Sequence, residues 1–106
     1  MRITKAVLRR AKKMIADPER WCKFAGARDW SDNTVDIYSP TACKFCITGA
    51  IAVSAKATDW GRIEDILHEQ KLRHRRLASL VVINDNSSHA RVMDTLDKLI
   101  EKAPVR

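Results

Sequence analysis

Three cysteines, three histidines and one Asn-Asp pair are the residues of this 106-residue chain whose types and spacing could do chemistry. Cys43 and Cys46 stand three apart, so on a helix both thiols face one way and could share a metal, with Cys22 or a histidine completing a tetrahedron. A zinc site normally shows a second half with comparable spacing, and His68, His74 and His89 show none. A redox pair would set its first cysteine at a helix N-terminus, where the dipole lowers the thiol pKa. Cys43 lies within reach of such a place, and Cys46 a turn further in. Buried, inert thiols are the commoner outcome. The reading is therefore no cofactor and no metal, with Cys22, Cys43 and Cys46 as the alternative ligand set.

The run Ile83-Asn84-Asp85-Asn86-Ser87-Ser88-His89 is the second candidate. Its short polar side chains bond neighbouring amides, which suits the end of one element and the cap of the next. The catalytic alternative joins Cys46 as nucleophile, His89 as base and Asn84 or Asp85 as orienter. One residue of each type is a constellation only if they meet in space, and no oxyanion motif or nucleophile elbow accompanies them. Capping is the expectation.

Charge is the third signal. The net charge is +7 and uneven: residues 1–25 hold eight Lys/Arg against two acids, and residues 61–81 five against three. Arg2, Lys5, Arg9, Lys12 and Lys13 fall opposite the apolar face of an amphipathic first helix. A second focus is Lys71 with Arg73-His74-Arg75-Arg76. Such clusters attract acidic partners over a range that salt shortens. Arg2, Lys5, Arg9, Lys12, Lys13, Arg73, Arg75 and Arg76 are accordingly the expected contacts to nucleic acid or to an acidic protein or nucleoprotein surface. No RNP motif or recognition-helix pattern argues for reading of sequence. Trp21 and Trp60 fall on expected core faces, leaving Trp30 as the loop aromatic that could stack a base.

The elements that must position these residues follow from periodicity. Residues 3–16 read as a helix with Ile3, Val7, Ala11, Met14 and Ile15 on one face. Asp17 and Pro18 cap and start a short second helix carrying Trp21, Cys22, Phe24 and Ala25 inward and ending near Gly26. Thr34 to Tyr38 alternates like a short strand, an extended loop or half of a small hairpin within residues 27–38. Ser39 and Pro40 then predict the start of a helix over about 40–57, apolar nearly all round and so buried. Gly49 inside it implies close approach of another backbone. Thr58 or Asp59 caps a helix to about Leu72. Residues 77–83 suit helix by Leu77 and Leu80 and strand by Val81-Val82-Ile83, and are read as a helix ending near Asn84. Ser87 or Ser88 caps the last helix, which stops before Pro104.

Three segments taken in order carry a resemblance. Glu19-Arg20-Trp21, then Cys43-x-x-Cys46-x-x-Gly49-Ala50-Ile51, then Asn84-Asp85 followed by His89-x-x-Val92-x-x-x-Leu96 resemble a family of small bacterial and phage proteins, a domain of unknown function. The likeness covers about residues 5–102. The chain departs from it in having Val82-Ile83 where the family often has a Trp before Asn-Asp, and in its higher basic charge. The resemblance implies no activity. It implies phage or mobile-element origin, for which non-enzymatic inhibitors such as anti-CRISPR proteins are an analogy of size and setting.

The sequence thus predicts a mainly α single domain of about five helices around residues 40–57. The absence of a continuous apolar run near the N-terminus and the odd cysteine count predict a cytoplasmic protein with reduced thiols and no membrane partner. The expected function is non-enzymatic binding of an acidic partner.

Overall fold

Thr4 opens the first helix, α1 (Lys5–Ile15), by accepting the Val7 amide on its hydroxyl at 3.3 Å. The structure, a computed structural model, describes all of residues 1–106. Val7, Leu8, Ala11 and Ile15 point into the core as a 3.6-residue period requires. Ile3 is buried too, although it precedes the helix: Gln70 grips its amide and carbonyl at 2.6 and 2.8 Å.

Asp17 and Pro18 act as the sequence predicts, but only one 3-10 turn follows, Pro18–Arg20. The expected short helix through residue 25 does not form. Cys22 is buried, whereas Phe24 is 73% exposed and sits at φ 64°, outside helical geometry. The chain turns away there because Cys22 and Gly26 bond the segment at 45–46: Cys22 donates to the Phe45 carbonyl and Cys46 to the Gly26 carbonyl, both at 3.1 Å.

That pairing also corrects the central helix. β1 (Ala27–Arg28) and β2 (Lys44–Phe45) form a two-stranded antiparallel sheet with Ala27 opposite Phe45. Residues 43–46 are therefore extended, and the helix α2 spans only Ile47–Ser54. Ser39 and Pro40 serve a turn, with the Ala42 amide on the Ser39 carbonyl at 3.0 Å. Pro at the second position of a turn and Pro at the first position of a helix need the same φ, so the dipeptide fits both. The Thr34–Tyr38 segment is no strand, although Thr34 bridges Arg28 and the Val35 amide reaches the Ala27 carbonyl.

Six successive residues of α2, Ile47 to Ala52, are buried. With no polar face to show to water, the helix is the centre of the bundle. Gly49 permits this: a Cβ there would overlap the Gly26 carbonyl oxygen. α1 is the main neighbour of α2 and also packs on α5. Asp59 caps a 3-10 turn, Trp60–Arg62, that runs into α3 (Ile63–Glu69). α2 and α3 each end on a lysine in the left-handed region, Lys56 and Lys71, with the next amide reaching back five residues, Ala57 to Ala52 and Leu72 to Leu67. Residues 80–86 settle as helix α4 (Leu80–Asn86), capped by Ser79 and ending two residues beyond the expected Asn84. Ser88 caps α5 (His89–Lys102) through the Arg91 amide at 3.2 Å.

Candidate functional site

Asn84 is fully buried, and its amide is the junction of three segments. Its Oδ1 accepts from Trp21 Nε1 at 2.7 Å and from the Ile47 amide at 3.0 Å. Its Nδ2 donates to the Cys22 carbonyl at 2.9 Å and to Asp85 Oδ1 at 3.1 Å. A carboxamide has two donors and two lone pairs on oxygen, and all are used here. One side chain on α4 thereby closes the start of α2 and the 21–22 segment. Asp85 Oδ1 also takes the Phe24 amide at 2.9 Å and holds the left-handed turn there.

His89 lies on the far side of Trp21, ring edge to face at 5.4 Å, with Nε2 2.7 Å from the Ile15 carbonyl. Cys46 caps α2, its sulfur taking the Gly49 amide at 3.3 Å and lying 3.2 Å from Thr48 Oγ1. The alternative catalytic set is therefore brought together only in part. Cys46 and Asp85 share the lining of one small cavity, of about 260 Å³, with Phe24, Ala25, Trp60 and Val81. His89 and Cys46 have separate hydrogen-bond partners, and Asn84 is occupied on all four sides.

The three thiols are free. Cys46, not Cys43, has the helix N-terminus, a reversal of the expected order caused by the late start of α2. Burial raises its pKa all the same, against the pull of Thr48 and the Gly49 amide. Desolvation outweighs capping. Burial first, then the nearby Cys46, pushes Cys22 up to about 12. Both are protonated thiols near neutrality, the inert state for this side chain. Cys43 donates to the Arg28 carbonyl at 3.6 Å. No group of three or more His, Cys, Asp or Glu side chains is arranged to hold a metal ion.

The basic residues divide. Lys5 lies on the last carbonyls of α5, those of Ile100 at 2.5 Å and Glu101 at 3.0 Å, a position that a cation at a helix C-terminus favours. Lys12 pairs with Asp97 at 2.6 Å. Arg2 donates to the Arg106 carbonyl at 2.7 Å. Arg9 and Lys13 stay exposed and form no ion pair, as do Arg75 and Arg76. Arg73 is the exception: its side chain is only 6% exposed, 3.7 Å from Glu64 Oε1, and it donates through Nη2 to the Ala78 carbonyl.

Arg73 forms the common wall of two adjoining cavities of about 180 and 500 Å³ between the 71–77 loop and α5. Lys71, Arg73 and Arg75 line them from the loop, and Arg91, Lys98 and Lys102 from α5. No Asp or Glu does. The sequence reading missed the α5 cations because residues 82–106 sum to zero charge. At 100° per residue, however, positions 91, 98 and 102 fall within about 20° of one line while Asp94, Asp97 and Glu101 lie on the neighbouring strip. Sorting charges by helix face rather than by segment would have found the stripe. Trp30 is 59% exposed with Arg20 and Lys44 over its ring at 5.3 and 5.9 Å, whereas Trp21 and Trp60 pack against the core.

No helix is long and apolar enough to cross a membrane. Comparison with curated proteins and with solved structures gives no match. The family of unknown function DUF6197 matches over residues 2–102, nearly the whole of the sequence, and the chain belongs to that family.

Proposed function

We propose that this protein is a non-enzymatic binding module for an acidic partner, and that the partner is nucleic acid. The observation that carries the reading is the cleft between the 71–77 loop and α5, lined by cations from two separate elements and by no carboxylate. Arg75 and Arg76 extend the same charge onto open surface. A field of one sign focused in a recess concentrates an anionic partner and speeds its arrival. Exposed Trp30 between Arg20 and Lys44 adds a face on which a base can stack. The α1 stripe contributes through Arg9 and Lys13, while Lys5 and Lys12 hold α5. An inhibitor seated on a host nucleoprotein complex, the form that a phage origin would suggest, is one concrete version of this reading.

The test is anisotropy titration of labelled single-stranded and duplex oligonucleotides over a salt series. Log affinity should fall linearly with log salt, and Arg75→Gln with Arg76→Gln should make the slope shallower by about 0.7–0.9 per lost phosphate contact. Absence of binding at low salt would turn the reading toward an acidic protein surface.

A further inference from the structure

The cleft is deeper than a surface that merely tracks a phosphodiester backbone requires. Its inner wall is the guanidinium of Arg73, whose side chain is more than nine-tenths buried. Glu64 stands behind it, with Oε1 already taking the Leu80 amide at 2.9 Å. At 3.7 Å the Arg73 Nε is too far from Glu64 for a hydrogen bond, and it is buried without a partner. The Nδ1 of His68, which lines the same cleft, is likewise buried and unbonded. Buried polar atoms of this kind are rare and call for a specific occupant.

We infer that the cleft is a terminal-phosphate site, taking the phosphate end of a free nucleotide or of a nucleic-acid strand. The inference deepens the reading of this cleft as anion-binding and rests on it. A terminal phosphate carries about −1.5 to −2 charges and three acceptor oxygens, against one charge on a backbone diester. It can project into a recess, as a diester held in a continuous chain cannot. Arg73 supplies a fixed planar fork for it, and Lys102, shared by both cavities, a movable point charge at the mouth. Leu72 and Leu77, also shared, give an apolar wall for the attached sugar or base. The two volumes together lie within the range of small-ligand sites, about 300–1,000 Å³.

The experiment compares three probes by calorimetry and anisotropy: an oligonucleotide phosphorylated at both ends, the same strand with hydroxyl ends, and a nucleoside monophosphate. The phosphorylated strand should bind at least about tenfold more tightly than the hydroxyl strand, the worth of a charge-assisted contact. Arg75→Gln and Lys102→Gln, both at exposed positions that leave the fold intact, should erase that difference. Arg73→Lys should weaken it while keeping the charge. Equal affinity for the two strands, without binding of the monophosphate, overturns the phosphate site and leaves nucleic-acid binding standing. Binding of the monophosphate alone upholds the site as one for free nucleotides and removes the nucleic-acid reading. A tenfold preference that survives Arg75→Gln and Lys102→Gln together places the phosphate elsewhere and overturns the assignment.

Discussion

Gly49 of α2 lies directly against the carbonyl of Gly26, so closely that the carbonyl oxygen occupies the place of a side chain. The central helix can therefore sit on the 22–28 segment while Cys46 donates its amide to that same carbonyl at 3.1 Å. Backbone atoms cannot rotate out of the way as a flexible side chain can. Gly49→Ala, which raises helix propensity by about 1 kcal/mol in isolation, should instead destabilise by about 1–3 kcal/mol net through overpacking. A thermal melt unchanged or raised in the variant would show that the contact is slack.

Asn84 should be the most costly polar residue to replace. Asn84→Leu leaves the Ile47 amide, Trp21 Nε1 and the Cys22 carbonyl without their partner. Each buried orphan costs about 1–3 kcal/mol, so a loss of about 3 kcal/mol or more is expected in denaturant unfolding, with a shift in tryptophan emission. A loss below about 0.5 kcal/mol would mean that water replaces the amide at every position.

Phe24 is a bulky side chain at φ 64°, held there by the bond of its amide to Asp85 and turned out to solvent. Glycine adopts that conformation without a Cβ penalty, about 1–2 kcal/mol for other residues. Phe24→Gly should therefore raise the melting temperature, and Phe24→Ala, which keeps the Cβ, should not. Equal melting temperatures for the two variants would place the strain elsewhere.

The buried thiols make a statement about alkaline stability. Cys22 ionises at about 12 when folded, against 9.0 for an ordinary cysteine. The unfolded chain thus loses the proton first, and the stability carried by the neutral thiol is complete below pH 9 and lost as pH rises toward 12. Cys46 shifts in the same direction. Chemical denaturation followed from pH 8 to 11 should show a decline that Cys22→Ala makes shallower. Parallel curves for the two proteins would contradict the burial of the thiol.

The first helix separates stability from binding. Lys12→Glu should cost about 0.2–1 kcal/mol by losing its partly exposed pair with Asp97, and Asp97→Lys in the same chain should restore it. Arg9→Glu and Lys13→Glu, with no such partner, should change affinity for an anionic ligand and leave the melt within about 0.5 kcal/mol. A melt lowered equally by all four changes would erase the distinction.

Local chemistry was legible residue by residue. The caps Asp17, Asp59 and Ser88, the apolar face of α1 and the need for a close backbone at Gly49 all follow from neighbours within one or two turns, and each stands as read. Burial of α2 was legible too, since a helix without a polar face has no other place. The tertiary structure decided where that helix begins. Residues 43–46 have apolar composition that suits helix, but the backbone of Gly26 to Arg28, some eighteen residues earlier, binds them as a strand. A hydrogen-bond ladder between distant segments leaves no periodic trace in either one. The same holds for charge. Composition located an excess of Lys and Arg, but which of them remain free depends on what packs opposite: α5 takes Lys5 and Lys12, Glu64 backs Arg73, and α5 returns Arg91, Lys98 and Lys102 to the other side of the cleft. Asn84 shows the limit most plainly. As a sequence residue it is one more turn former, and only the meeting of Trp21, Cys22 and Ile47 around it makes it the joint of the fold.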